Sequence, residues 1–227
     1  MSSECINIDF VYAESPARLA HDHHIEAFEK MEDYAIKGNT VVGTKVLYDL
    51  FIQSNSEIHD RWPFESEEQL RYNSGGDSVD LTDLCVVYYR FDELAFLNNN
   101  NDHPLADDEG QLLNEVIEIV KVGYKATAEQ PVAIYSTTPD MPDIGRPPFT
   151  AESLAKDRLT HLCWLTVFTP RLVETYGRET LLSAPAWHVE ELDDGAILLV
   201  CHDDPSWRSS IQSVADYIGI PSYEEFW

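Results

Sequence analysis

Apolar and polar positions alternate most legibly between Thr160 and Trp207. Trp164–Phe168 (WLTVF) is β-branched and aromatic, the composition of a short buried strand. Thr169-Pro170 ends it and opens a helix: Thr169 is the expected N-cap acceptor, and Pro170 sits at N1, where a missing N–H does no harm. Leu172, Val173 and Tyr176 share one face of that helix, and Gly177 is a candidate left-handed C-cap. Arg178–Ser183 reads as one more helical turn, stopped by Ala184-Pro185. Trp187–Leu192 is a second strand. Asp194-Gly195 then predicts a tight hairpin of type I′. Ala196–Cys201 (AILLVC) is apolar without a break, so it is expected to be covered on both faces. Asp203/Asp204 with Pro205 open a last helix whose stripe is Trp207, Ile211, Val214 and Ile218.

This β-α-β-β-α order has a ferredoxin-like solution. The first two strands run parallel through their crossover, and the third returns antiparallel beside the first. That pairing brings His161 and Cys163, at the start of one strand, to Cys201 and His202, at the end of the other.

Earlier in the chain, Cys5–Tyr12 alternates as a strand. Ser15-Pro16 opens a helix expected to run to about Ala35, with Ala20, His24, Phe28, Met31 and Ala35 on one face and Gly38-Asn39 at its end. Thr40–Ser54 reads as a strand followed by a helix, or as one helix from Thr44, the second being preferred. Asn55–Leu84 is polar and reads as loop, Leu84–Phe91 as a strand, and Asn98–Asn101 as an exposed tip. Asp107/Asp108 cap a helix with Leu112, Leu113, Val116, Ile119, Val120 and Gly123 inward, and Pro131–Ser136 is a further strand. Pro139–Pro148 is a proline-rich connection, followed by a short helix capped at Thr150. The expected class is α+β: one domain over 1–227, a mixed sheet with helices packed on it, an N-terminal part (1–148) and a ferredoxin-like C-terminal part (149–227).

Charge changes the picture. Fifteen Lys and Arg stand against 41 Asp and Glu, a net charge of −26, where a magnitude of about 2 to 8 suits a small domain. The acids are spread along the chain, the pattern of adaptation to a salty interior; the competing explanation is a surface that docks a basic protein partner. Nucleic acid is excluded as a direct partner by the shortage of cations for phosphate. No run is long and apolar enough for a membrane span. Met1–Cys5 lacks a basic, apolar leader, so the expected location is cytoplasmic. There Cys5, Cys85, Cys163 and Cys201 are expected as free thiols.

Three groups carry candidate chemistry. His161, Cys163, Cys201 and His202 would suit tetrahedral zinc if they converge, against the plainer expectation of buried thiols flanked by surface histidines. His21 and His24 lie three apart on a helix and could face one metal, but His24 sits beside Phe28 on the apolar stripe, as a satisfied core histidine would. Tyr223, Glu224, Glu225, Phe226 and Trp227 form an aromatic and acidic tail suited to partner binding or to packing on the core. Serine-nucleophile, phosphate-loop and dinucleotide motifs are absent. No cofactor is required on this reading, zinc being the one candidate.

The motifs Trp164–Phe168, Pro170–Val173, Tyr176-Gly177 and the hairpin Trp187–Val200 around Asp194-Gly195 carry a resemblance. Across Thr160–Gly219 the chain resembles uncharacterised acidic proteins of halophilic archaea. More remotely, it resembles bacterial immunity proteins of contact-dependent and type VI toxin systems. The resemblance implies a non-enzymatic, protein-binding α+β module that neutralises a partner, and the acidic charge would suit a basic one. It transfers no functional residue. A metal-dependent enzyme or metal-binding protein using the His and Cys residues, and a halophilic structural protein without ligand, are the alternatives.

Salt separates the two explanations of the charge. The Debye length grows from about 3 Å at 1 M to about 10 Å at 0.1 M salt. If the acids are an adaptation, the melting temperature falls across that dilution. An unchanged or higher value in dilute salt would favour partner docking.

Overall fold

Strand β1 (Cys5–Tyr12) is the centre of the molecule. Ile6, Ile8, Phe10 and Tyr12 point to one face and Asn7, Asp9 and Val11 to the other, and all seven are buried. A computed structural model describes residues 5–12, 17–31, 34–37, 40–43, 49–55, 71–74, 77–80, 85–92, 111–137, 148–203 and 210–222.

After β1 come α1 (Ala17–Glu29), β2 (Tyr34–Lys37), β3 (Thr40–Gly43), β4 (Asp49–Asn55), β5 (Arg71–Ser74), β6 (Asp77–Asp80), β7 (Cys85–Asp92), α2 (Gln111–Tyr124) and β8 (Ala133–Thr137). Then follow α3 (Ala151–Ala155), β9 (Leu165–Phe168), α4 (Pro170–Tyr176), α5 (Arg178–Leu182), β10 (His188–Glu191), β11 (Ile197–Val200) and α6 (Gln212–Ile218). Nine strands form one sheet in the order β10-β11-β9-β8-β1-β7-β4-β3-β2, and β5 and β6 form a separate two-stranded sheet. The class is α+β, with helices packed on the sheet. Helices α1 and α2 cover the Ile8–Phe10 face, while α4 and α5 lie over the opposite face at β9–β11. No helix among the described residues is long and apolar enough to cross a membrane.

The C-terminal topology follows the sequence expectation. β11 pairs antiparallel with both β9 and β10, so β9 and β10 run parallel with β11 between them. β11 thus separates the two parallel strands, and every paired neighbour in the sheet is antiparallel where a mixed sheet was expected. All four β11 side chains are buried, as a continuous apolar strand requires. The short pairing of β8 with β9, Ile134 to Val167 and Tyr135 to Thr166, joins strands from before and after residue 148 in one sheet.

Local signals hold at several ends and fail at others. Thr150 caps α3 through a capping box with Ser153. Pro170 opens α4, but the Thr169 side chain makes no cap hydrogen bond, and Gly177, at φ 87° and ψ 121°, lies outside the left-handed helical region. The hairpin turn has three residues, Asp193-Asp194-Gly195. Gly195 N–H donates to Leu192 O at 3.0 Å and Leu192 N–H to Ala196 O at 2.8 Å. Only Gly195 takes positive φ there, so a type I turn with a glycine bulge replaces the expected type I′ turn.

The stretch after the first helix differs most. The helix ends at Glu29, and Tyr34–Lys37 is a strand paired with β3 on either side of Gly38-Asn39. The preferred helix from Thr44 is replaced by β4, whose Phe51 and Ile52 pair with Arg90 and Tyr89. Short runs of Tyr, Ile, Val and Phe take the form their neighbours offer, and β7 offers an edge. β5 and β6 lie within the segment expected to be irregular. The Asn98–Asn101 tip and the Asp107/Asp108 cap lie outside the described residues.

Gly123 shows how tightly α2 seats. A Cβ there would stand 2.7 Å from Phe10 Cζ and collide with the Tyr89 hydroxyl. An exposed Gly→Ala change gains about 1 kcal/mol of helix propensity, whereas overpacking costs about 1–3 kcal/mol. Gly123→Ala is therefore expected to lower the urea midpoint, and a raised midpoint would refute this packing.

Candidate functional site

The strand ends that the topology was expected to join do meet. Cys201 N–H donates to Trp164 O at 2.9 Å, which sets Cys201 opposite Trp164 and places Cys163 one residue further out. The Cys201 thiol donates to the Cys163 carbonyl at 3.5 Å, and the Thr166 hydroxyl reaches the same oxygen at 3.4 Å. Both cysteines are free and buried. Burial, with the neighbouring Cys201 and Asp9, holds the Cys163 thiol far above its ordinary range. Burial alone pushes Cys201 up to about 12. Neither is a thiolate near neutral pH, so neither is a ready nucleophile.

The flanking histidines take different positions. His161 is buried, with its Nδ1 3.2 Å from the Thr160 hydroxyl. His202 is half-buried and accepts the Trp164 indole N–H through its backbone carbonyl at 2.9 Å. Among the described residues no group of three His, Cys, Asp or Glu side chains is placed to hold a metal ion. The pairing of β9 with β11 thus joins the two cysteines without assembling the tetrahedral set of His161, Cys163, Cys201 and His202.

His24 occupies the core. Its Nε2 lies 2.7 Å from the Tyr12 hydroxyl of β1, and its Nδ1 meets the Tyr89 hydroxyl of β7. A neutral imidazole has one N–H, so one tyrosine accepts from the ring and the other donates to it. Phe10 and Phe28 pack at the edges of this cluster. Both ring nitrogens are engaged, so His24 has none left for a metal shared with His21. His21 is partly exposed, 3.6 Å from the Asp22 carboxylate. Burial, helped by the nearby His21 and His23, lowers the His24 pKa to about 3. Burial and Tyr12 keep the Tyr89 hydroxyl protonated well above its usual range.

A second polar cluster had no sequence forecast. The last turn of α2 reaches over the β10–β11 hairpin. Lys121 bridges Glu118 at 2.9 Å and Glu190 at 2.8 Å, and Lys125 bridges Asp193 at 2.7 Å. The Tyr124 hydroxyl and Gln130 Nε2 both donate to Asp194 Oδ2, at 2.6 and 2.5 Å. Burial would raise the Asp194 carboxyl, yet these donors and the Ala196 N–H hold it below its ordinary value. From the opposite face, Arg178 of α5 makes a bidentate pair with Glu191 at 2.7 and 2.5 Å. The available signal was the spacing of Lys121, Tyr124 and Lys125 on one helical face, which uses two of the chain's six lysines.

The tail Tyr223, Glu224, Glu225, Phe226 and Trp227 lies outside the described residues. Comparison with protein-family models, curated proteins and solved structures gives no match.

The His24 network predicts a specific acid sensitivity. Below its ordinary value of 6.5, the unfolded chain protonates this histidine while the folded chain does not until about pH 3. Stability through His24 is therefore whole above pH 6.5 and is lost as pH falls toward 3, at about 1.4 kcal/mol per pH unit. Urea unfolding of wild type between pH 6 and 5 is expected to show a slope steeper by about that amount than His24→Gln. Equal slopes would remove His24 from the account.

Proposed function

We propose that this chain is a non-enzymatic protein-binding module that neutralises a basic partner by docking an acidic surface, as an immunity-like protein does. One contrast carries the reading. The described groups best suited to chemistry, Cys163, Cys201 and His24, are buried and serve packing and hydrogen bonding. The net charge is −26, and acids such as Glu26, Glu29, Glu129, Glu174 and Asp203 are exposed. Charge of one sign steers the encounter with a partner of the other and speeds association.

A docking protein acts in proportion to its amount, and an enzyme does not. The test is co-expression with the product of the adjoining reading frame, growth being the readout. Protection is expected at about one chain per partner and is expected to weaken with salt. The Cys163→Ala/Cys201→Ala double variant should protect like wild type wherever it folds. Protection at far less than equimolar dose would reject docking in favour of turnover.

A further inference from the structure

We infer that the free edge of β10 takes an extended, cationic segment of a partner protein as an added strand. The inference rests on the docking reading above and gives it a place. β10 ends the nine-stranded sheet and pairs only with β11 among the described residues. Its neighbour β11 is wholly buried, so the edge continues the core sheet. An unpaired strand edge presents backbone donors and acceptors that another chain can satisfy.

Proteins usually guard such an edge with lysine, proline, a bulge or charges standing in the way. His188-Val189-Glu190-Glu191 has neither lysine nor proline. Its two carboxylates are drawn aside. Adjacent strand residues point to opposite faces. Lys121 holds Glu190 on the α2 face, and Arg178 holds Glu191 on the α5 face. Among the described residues the backbone rim between them is left open. Trp187, directly before the strand, is 40% exposed, one of two large hydrophobic side chains so exposed among the described residues. It offers a flat apolar platform at one end of the rim.

Charge selects the occupant. A second copy would bring another −26 to the same edge, whereas a lysine- or arginine-bearing strand meets a complementary field. Backbone hydrogen bonds would supply the register, and alternate side chains would face the two sheet surfaces.

The probe is an eight-residue peptide alternating Lys and Val. It is compared with the same peptide N-methylated at alternate backbone amides and with its Glu-Val counterpart, all in about 0.1 M salt. Binding is read by anisotropy of the labelled peptide, and its location by hydrogen exchange of the protein. The Lys-Val peptide is expected to slow exchange at His188–Glu191. N-methylation is expected to weaken it about tenfold or more by removing backbone donors, and the Glu-Val peptide should not bind. Equal affinity of the N-methylated peptide, protection away from β10, or a peptide-free dimer that protects β10 would each overturn the inference. The two readings fail separately. Peptide protection at β10 without neutralisation of the co-expressed partner would sink the docking function alone. Neutralisation with unchanged exchange at β10 in the complex would sink the edge inference alone.

Discussion

Strand β1 is hydrogen-bonded along both sides, to β7 and to β8, and is covered on both faces. Every other part of the sheet is attached through it or through those two neighbours. A strand in that position cannot leave a backbone group to water, because there is no water to take it. Its buried polar side chains are met only in part, since Asn7 Oδ1 has no hydrogen-bond partner among the described residues. Tyr12, opposite Cys85, and Tyr89, opposite Ile8, lie on one face of this junction with the Phe10–Val87 pair between them, and both reach the imidazole of His24. Helix α1 is therefore fixed on the sheet by buried hydrogen bonds as well as by Ala20 and Phe28. Losing one partner of such a network leaves the others unsatisfied in the core, which costs more than the bond itself contributed.

The same chain carries a large excess of acid. The few cations with described partners are concentrated where they act on structure. Lys121, Lys125 and Arg178 all fasten the β10–β11 hairpin, two from above the sheet and one from below. These pairs are exposed or half-buried, and individually weak. Their consequence is geometric: they orient the acids of one hairpin while acids such as Glu26, Glu129 and Glu174 remain at the surface.

What was legible in the sequence was local. Pro170 at a helix start, the Thr150 cap, the glycine after Asp194 and the unbroken apolar run of β11 each act over a few residues, and each marked the right element. The order β9, β11, β10 followed because crossover and hairpin rules leave few alternatives. Tyr34–Asn55 misled because its apolar runs are short and its form is decided by pairing with β7. His24 was readable as a core histidine from its place beside Phe28, but its partners were not. Tyr89 lies 65 residues away, and only the sheet brings it there. The hairpin clamp was hidden for the same reason, since Tyr124 and Asp194 are 70 residues apart.

The central place of a strand from the start of the chain has a consequence during synthesis. β1 ends at Tyr12, whereas β7 begins at Cys85 and β8 at Ala133. At about 5–20 residues per second, roughly 4 to 24 s pass between the emergence of β1 and that of its two partners. Through that interval Ile6, Ile8 and Phe10 are an extended apolar segment with both edges unpaired, the kind of surface that aggregates or recruits a chaperone. The β9–β11 unit follows β8 and closes over short sequence distances, so it can form soon after it emerges. The centre of the sheet thus closes only once β8 has emerged, a delay set by where β1 was placed.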